Sequence, residues 1–214
     1  TPLYSSAASD VYKRQDLANK AMDGEPAAAA AAIEFNQVAP SSIRAPESSV
    51  SEATTLIMVR HGRTALTESR KISGGDGENP DLSELGQKDA SDVATELSRV
   101  GKSGAFGFLS KPVAVVHSPI KRASQTASKI AERLQIEQIE LADLREIGFG
   151  DWDGLTNEEL FVAHEKQYQR WRGSYDIAPP NGESLQDFDV RVNRSLDFLL
   201  DKFAGQTVVI VAHV

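Results

Sequence analysis

Four stretches of this sequence carry side chains suited to handling a phosphate group: Arg60-His61-Gly62-Arg63-Thr64, His117 to Arg122, Leu144 to Gly154, and His213. A neutral imidazole has a lone pair that can take up a phosphoryl group. Guanidinium forks match phosphate oxygens, and a carboxyl group can protonate a departing alkoxide. His61 is therefore the candidate nucleophile, with Arg60 and Arg122 as candidate phosphate ligands. Their like charge is expected to hold the His61 ring neutral in the empty site. Gly62 would let the backbone approach the anion closely. Glu146, in the Gly-rich stretch Leu144-Arg-Glu-Ile-Gly-Phe-Gly-Asp-Trp-Asp-Gly154, is the candidate proton donor. A metal centre is not expected, since no two histidines stand at ligand spacing and no carboxylate cluster adjoins them. The absence of cysteine excludes disulfides, thiolate metal sites and Cys nucleophiles.

These groups need elements to bring them together. Thr55 to Val59 is a short continuous apolar run, the pattern of a strand buried on both faces, and it leads straight into Arg60 and His61. Val113 to Val116 and Val208 to Ala212 read the same way and deliver His117-Ser118 and His213. Ile136 to Leu141 is expected to be an edge strand. Ser83 is expected to cap a helix over 84–100, with Ala90, Val93, Ala94 and Leu97 on one face. Ser118-Pro119 is expected to open a helix that buries Ala123, Ala127, Ile130 and Leu134 and carries Arg122 in its first turn. Thr156 and Glu159 form a capping box for a helix reaching about Arg172. Ser184 is expected to cap a helix whose core face is Leu185, Phe188, Val192, Leu196, Leu199 and Phe203. Alternating strands and helices predict an α/β fold, a mostly parallel sheet with helices on both faces. In such sheets ligands bind beyond the carboxyl ends of the strands, where these histidines and arginines emerge beside a helix N-terminus.

The 214 residues carry a net charge of -8, which argues against a nucleic-acid surface in this stretch. No apolar run is long enough to span a bilayer and no signal peptide opens the chain, so no membrane partner and a cytoplasmic location are expected. Residues 1–15 lack any period and are expected to be a non-native leader. Residues 24–53 are rich in Ala, Ser, Pro and Glu, the composition of a disordered linker. The folded domain is expected over 54–214, cut short at its C-terminus.

Arg60-His61-Gly62 after an apolar strand resembles the signature of the histidine phosphatase (phosphoglycerate mutase-like) superfamily. Leu82-Ser-Glu-Leu-Gly86, His117-Ser-Pro-Ile-Lys-Arg122-Ala-Ser-Gln-Thr-Ala127, the Leu144–Gly154 loop and His213 match in the same order. The resemblance implies a three-layer α/β/α phosphoglycerate mutase-like fold and a small phosphorylated substrate. It implies a phosphohistidine intermediate on His61 that water then attacks, with no metal or other cofactor. Phosphate contacts from Arg60, Arg122 and His213 are implied, with Glu146 as acid and then base. Thr67 stands where many members carry Asn, and its hydroxyl can still donate to phosphate. Asn181-Gly-Glu-Ser184 resembles a further family segment near the site, of open role.

The His-Val ending resembles the phosphatase half of actinobacterial bifunctional RNase H/acid phosphatases. Residues 16–23, Asp-Leu-Ala-Asn-Lys-Ala-Met-Asp, resemble the closing helix of a type I RNase H. No RNase H site residue is carried over, because Gln15 stands where the catalytic Asp would be. Acid-phosphatase-type hydrolysis of a phosphomonoester is the leading expectation. The alternatives are a phosphoglycerate mutase-like phosphotransferase, a fragment of a protein whose main activity is RNase H, and an inactive interaction module. Arg63 either orients substrate or faces water. His117 is expected to be structural, His164 solvated, and Trp152 and Trp171 packing residues.

Overall fold

The computed structural model describes residues 53–102 and 106–213. The expectations for a leader over 1–15 and a helix remnant over 16–23 lie outside the described residues, as does all but Ala53 of the linker. Four strands form one sheet: β1 (Thr55–Arg60), β2 (Ala114–His117), β3 (Glu137–Glu140) and β4 (Thr207–Ala212). Every pairing is parallel and the order is β1-β4-β2-β3. All carboxyl ends therefore point to one edge of the sheet.

Strand periodicity sends alternate side chains to opposite faces, and β4 shows why both faces are covered. Val209 and Val211 face helices α2 (Glu84–Leu97) and α3 (Lys121–Leu134), packing with Ala94, Leu97, Ala123, Ala127 and Ile130. Val208 and Ile210 face helix α5 (Leu185–Lys202) and the turn Ala142–Leu144, packing with Leu144, Leu199 and Phe203. This is the expected three-layer α/β/α arrangement. A single turn, α1 (Ala65–Glu68), follows β1, and α4 (Asn157–Arg172) follows the Gly-rich loop. No helix of the described residues is long and apolar enough to cross a membrane.

Local signals were obeyed where a side chain has no stronger partner. Ser83 Oγ accepts the Gly86 N–H, and Thr156 with Glu159 completes its capping box. Three expectations change. The β1 strand is not buried on both faces: it lies at the edge of the four strands, and Met58 is 66% exposed while Val59 is buried. Ser118 is not an N-cap and Pro119 is not the first helical residue. Helix α3 starts at Lys121 after Ile120, which makes no side-chain cap, because the Ser118 hydroxyl is engaged elsewhere. The inward face of α5 is Arg191, Ser195 and Leu199, whereas Leu196 is exposed. Leu185, Phe188 and Val192 are only half-buried, since the helix turns a guanidinium toward the loop that follows β3.

Candidate active site

Parallel register sets the site. Arg60 pairs with Ala212 and His117 with Val211. The chain is then tied one residue further on each strand: His61 N–H donates to Ala212 O at 3.1 Å, and Ser118 N–H to Val211 O at 3.0 Å. His61, Ser118 and His213 thus leave three neighbouring strands side by side. The rings of His61 and His213 lie 5.0 Å apart.

His61 Nδ1 lies 2.7 Å from its neighbour's carbonyl, Gly62 O. A carbonyl only accepts, so Nδ1 carries the proton and Nε2 the lone pair. Arg122 Nε donates to that Nε2 at 3.1 Å. The ring's pKa is lowered to about 4, by burial first and by the charges of Arg122 and Arg60 after it, against the raising effect of the Gly62 carbonyl. The expected neutrality holds, but loss of water outweighs like-charge repulsion as its cause. Arg122 is itself only 1% exposed. Its Nη2 donates to Ser73 O at 2.9 Å, and its Nη1 has no hydrogen-bond partner among the described residues. A buried cation with an uncommitted donor is suited to receive an anion.

Glu146 sits in the loop beyond β3. Burial raises its carboxyl above the usual range, against an Ile147 N–H bond and the pull of Arg122, Arg191 and Arg60. A Glu146 oxygen lies 3.9 Å from His213 Nδ1, too far for a hydrogen bond but inside one cluster. His213 Nε2 lies 2.8 Å from Ser118 Oγ. That hydroxyl also accepts the Ile120 N–H at 3.3 Å. His213 Nδ1 is buried and has no hydrogen-bond partner among the described residues. Burial, followed by the charges of Arg122, His61, Arg191 and Arg60, lowers the His213 pKa to about 2.

The structure brings together His61, Arg122, Glu146 and His213. Arg60, at the end of β1, is exposed, and its charge reaches His61, Arg122, Glu146 and His213. Thr67 is half-buried in α1, its hydroxyl 3.1 Å from that of Thr64. Gly62 is needed for a reason beyond anion approach: a Cβ there would stand 2.4 Å from Gly86 O. Its N–H donates to Thr126 Oγ1 at 3.0 Å. Arg63 turns away, forming a two-pronged pair with Asp89 at 2.7 Å. His117 is buried between Ser118 O and Gln138, and His164 bonds Gln167 at a kink in α4. Trp152 and Trp171 pack edge-to-face on each other.

Sequence reading missed the supports. Ser118 aims His213. Ser73 and Gly74 lend carbonyls to Arg122, and Asp153 in turn accepts the Gly74 N–H. Glu183, in the segment of open role, forms a buried ion pair with Arg191. Ser118, Asp153 and Glu183 lie in segments that carried a resemblance, but Ser73 and Gly74 carried no advance signal.

A family profile described as the histidine phosphatase superfamily (branch 1) matches residues 56–214. The bifunctional protein Rv2228c of Mycobacterium tuberculosis (strain ATCC 25618 / H37Rv) is 36% identical over 206 residues, covering 92% of this chain and 52% of that protein. The chain thus spans about half the length of that relative. A 2,3-bisphosphoglycerate-dependent phosphoglycerate mutase of Bartonella tribocorum is 33% identical over 165 residues, covering 74% of this chain and 75% of the mutase. The solved mycobacterial glucosyl-3-phosphoglycerate phosphatase Rv2419c, complexed with VO3, superposes with a TM-score of 0.63 at 30% identity, covering 74% of each chain.

Proposed function

The chain belongs to the histidine phosphatase superfamily, and from that premise we propose that it is a phosphomonoester hydrolase of acid-phosphatase type, working through a phosphohistidine on His61. The observation that carries this reading is the orientation of His61. Its Nε2 lone pair faces Arg122, while Glu146 and His213 stand in the same buried cluster.

The phosphate of a small ester enters between Arg60, Arg122 and His213, whose donors take its oxygens; the Thr67 hydroxyl and the backbone at Gly62 line the approach. Arg122 turns its Nε–H from His61 to the phosphate, freeing the lone pair. His61 Nε2 attacks phosphorus and the P–O bond to the alcohol breaks. Glu146, held as the acid by burial, gives its proton to the departing oxygen. Glu146, now a carboxylate, then takes a proton from water as that water's oxygen attacks phosphorus. The P–N bond breaks and inorganic phosphate leaves. Arginines and His213 stabilise the charge of both transfers, the larger part of phosphoryl-transfer catalysis.

The mutase relative supports a second reading, in which the phosphoryl group returns to substrate instead of passing to water. Incubating the full chain with monophosphate esters separates the two. Free phosphate without an isomer supports hydrolysis; isomer without free phosphate overturns it. Replacing His61 with Ala is expected to abolish release and the labelled phosphohistidine trapped at high pH. The proposed partner is a small phosphorylated molecule in the cytoplasm, and no cofactor is assigned. Nucleic acid is not proposed as a partner of residues 54–214, given the acidic balance of the chain; cleavage of an RNA–DNA hybrid by those residues would overturn that.

A further inference from the structure

Behind the loop that carries Glu146 lies an ion pair that the proposed chemistry does not use. Arg191, on α5, is 5% exposed and Glu183 is 9% exposed. They meet through two parallel bonds of 2.7 Å, Nε to Oε1 and Nη2 to Oε2. Every remaining donor of the guanidinium goes to the loop. Its Nη1 donates to Asp143 O and Arg145 O at 2.7 Å each, and its Nη2 to Glu146 O at 3.0 Å. Glu183 continues the grip further along, accepting the Gly148 N–H at 3.2 Å and donating its own N–H to Gly148 O at 2.7 Å. On the opposite side Gly75 presses on the same peptide, where a Cβ would stand 2.3 Å from Glu146 O.

We infer that Arg191 and Glu183 are positioning residues for the proton donor: their buried pair grips the backbone on both sides of Glu146 and so fixes where its carboxyl group stands. This rests on the reading of Glu146 as the donor. Fastening a helix to a sheet does not require such a pair, because apolar side chains of similar volume commonly do as well or better once desolvation is counted. Spanning three carbonyls while holding a carboxylate does require a planar fork, which a lysine ammonium cannot reproduce. Proton transfer is sensitive to small displacements of the donor, which gives the grip a chemical consequence.

The test compares two esters on the same preparation of the full chain. 4-Nitrophenyl phosphate has a good leaving group that needs little protonation, whereas glycerol phosphate has an alkoxide that needs it. For Glu146→Gln, kcat/KM on the glycerol ester is expected to fall about 100-fold more than on the nitrophenyl ester. For Arg191→Lys and Glu183→Gln the same ratio is expected to shift by about tenfold. Any loss of folded protein scales both rates alike, so the ratio still reports the position of the donor if either variant is unstable. Equal losses on both esters in the Arg191 and Glu183 variants, beside a shifted ratio in Glu146→Gln, would overturn the inference alone. Equal losses in Glu146→Gln would overturn the reading of the donor itself.

Discussion

Two side chains of opposite habit govern the pH dependence of this site. His61 is neutral above about pH 4 in the free enzyme, chiefly because it is buried, and Glu146 keeps its proton above the ordinary carboxylate range, also through burial. Activity therefore needs pH above the lowered His61 value and below the raised Glu146 value. The expected kcat/KM profile is a bell, its acid limb following His61 and its alkaline limb following Glu146, measured with the ester's own second ionisation titrated in parallel. Glu146→Gln should remove the alkaline limb from what activity remains, and an alkaline limb unchanged in that variant would contradict the assignment. Stability follows with a defined sign. Well above pH 6.5 both rings are neutral folded or unfolded. As pH falls below 6.5 the unfolded chain binds protons that the folded site refuses, down to about pH 4 for His61 and about 2 for His213. Each ring therefore contributes a fall in melting temperature over its range, and His61→Gln should remove the part that His61 contributes. Ser118 offers a finer test. Its hydroxyl holds the His213 ring through a 2.8 Å hydrogen bond, so Ser118→Ala is expected to cost about 1 kcal/mol of transition-state binding, near fivefold in kcat/KM.

At the scale of elements, the nucleophile depends on two glycines pressed together. A Cβ on Gly62 would meet Gly86 O at 2.4 Å, and one on Gly86 would meet Arg63 O at 2.0 Å. Gly62→Ala should push the loop off the start of α2, costing about 1–3 kcal/mol and moving His61. Urea unfolding and phosphate release should decline together. Thr156→Ala provides the contrast: loss of the capping box is expected to cost about 1 kcal/mol with kcat/KM within about twofold of the parent. The capping box was legible in the sequence because cap and partner lie three residues apart. Ser118 was misread for the opposite reason. Its sequence context says N-cap, yet its hydroxyl is claimed by His213, 95 positions away. Arg191 sits among apolar positions of α5 and looks like a solvated residue until Glu183 and the loop carbonyls fold around it.

For the whole molecule, the fold class was legible because buried parallel strands advertise themselves as apolar runs and their helices as amphipathic repeats. The order β1-β4-β2-β3 was not, since no local pattern says which run becomes whose neighbour. That is also why Met58 was expected inside. As one of the two inner strands, β4 is costly to damage. Ile210 is 1% exposed, and Ile210→Ala is expected to cost about 2–5 kcal/mol, read as a lower urea midpoint. The same position has a consequence in time. Thr55 has its partner at Thr207 and Ala114 has its at Val208, so β1 and β2 are joined only through β4, which follows both of them in the sequence. Pairing so remote in sequence is slow to form. The nascent polypeptide therefore carries its nucleophile with the anion pocket unbuilt until β4 has been made.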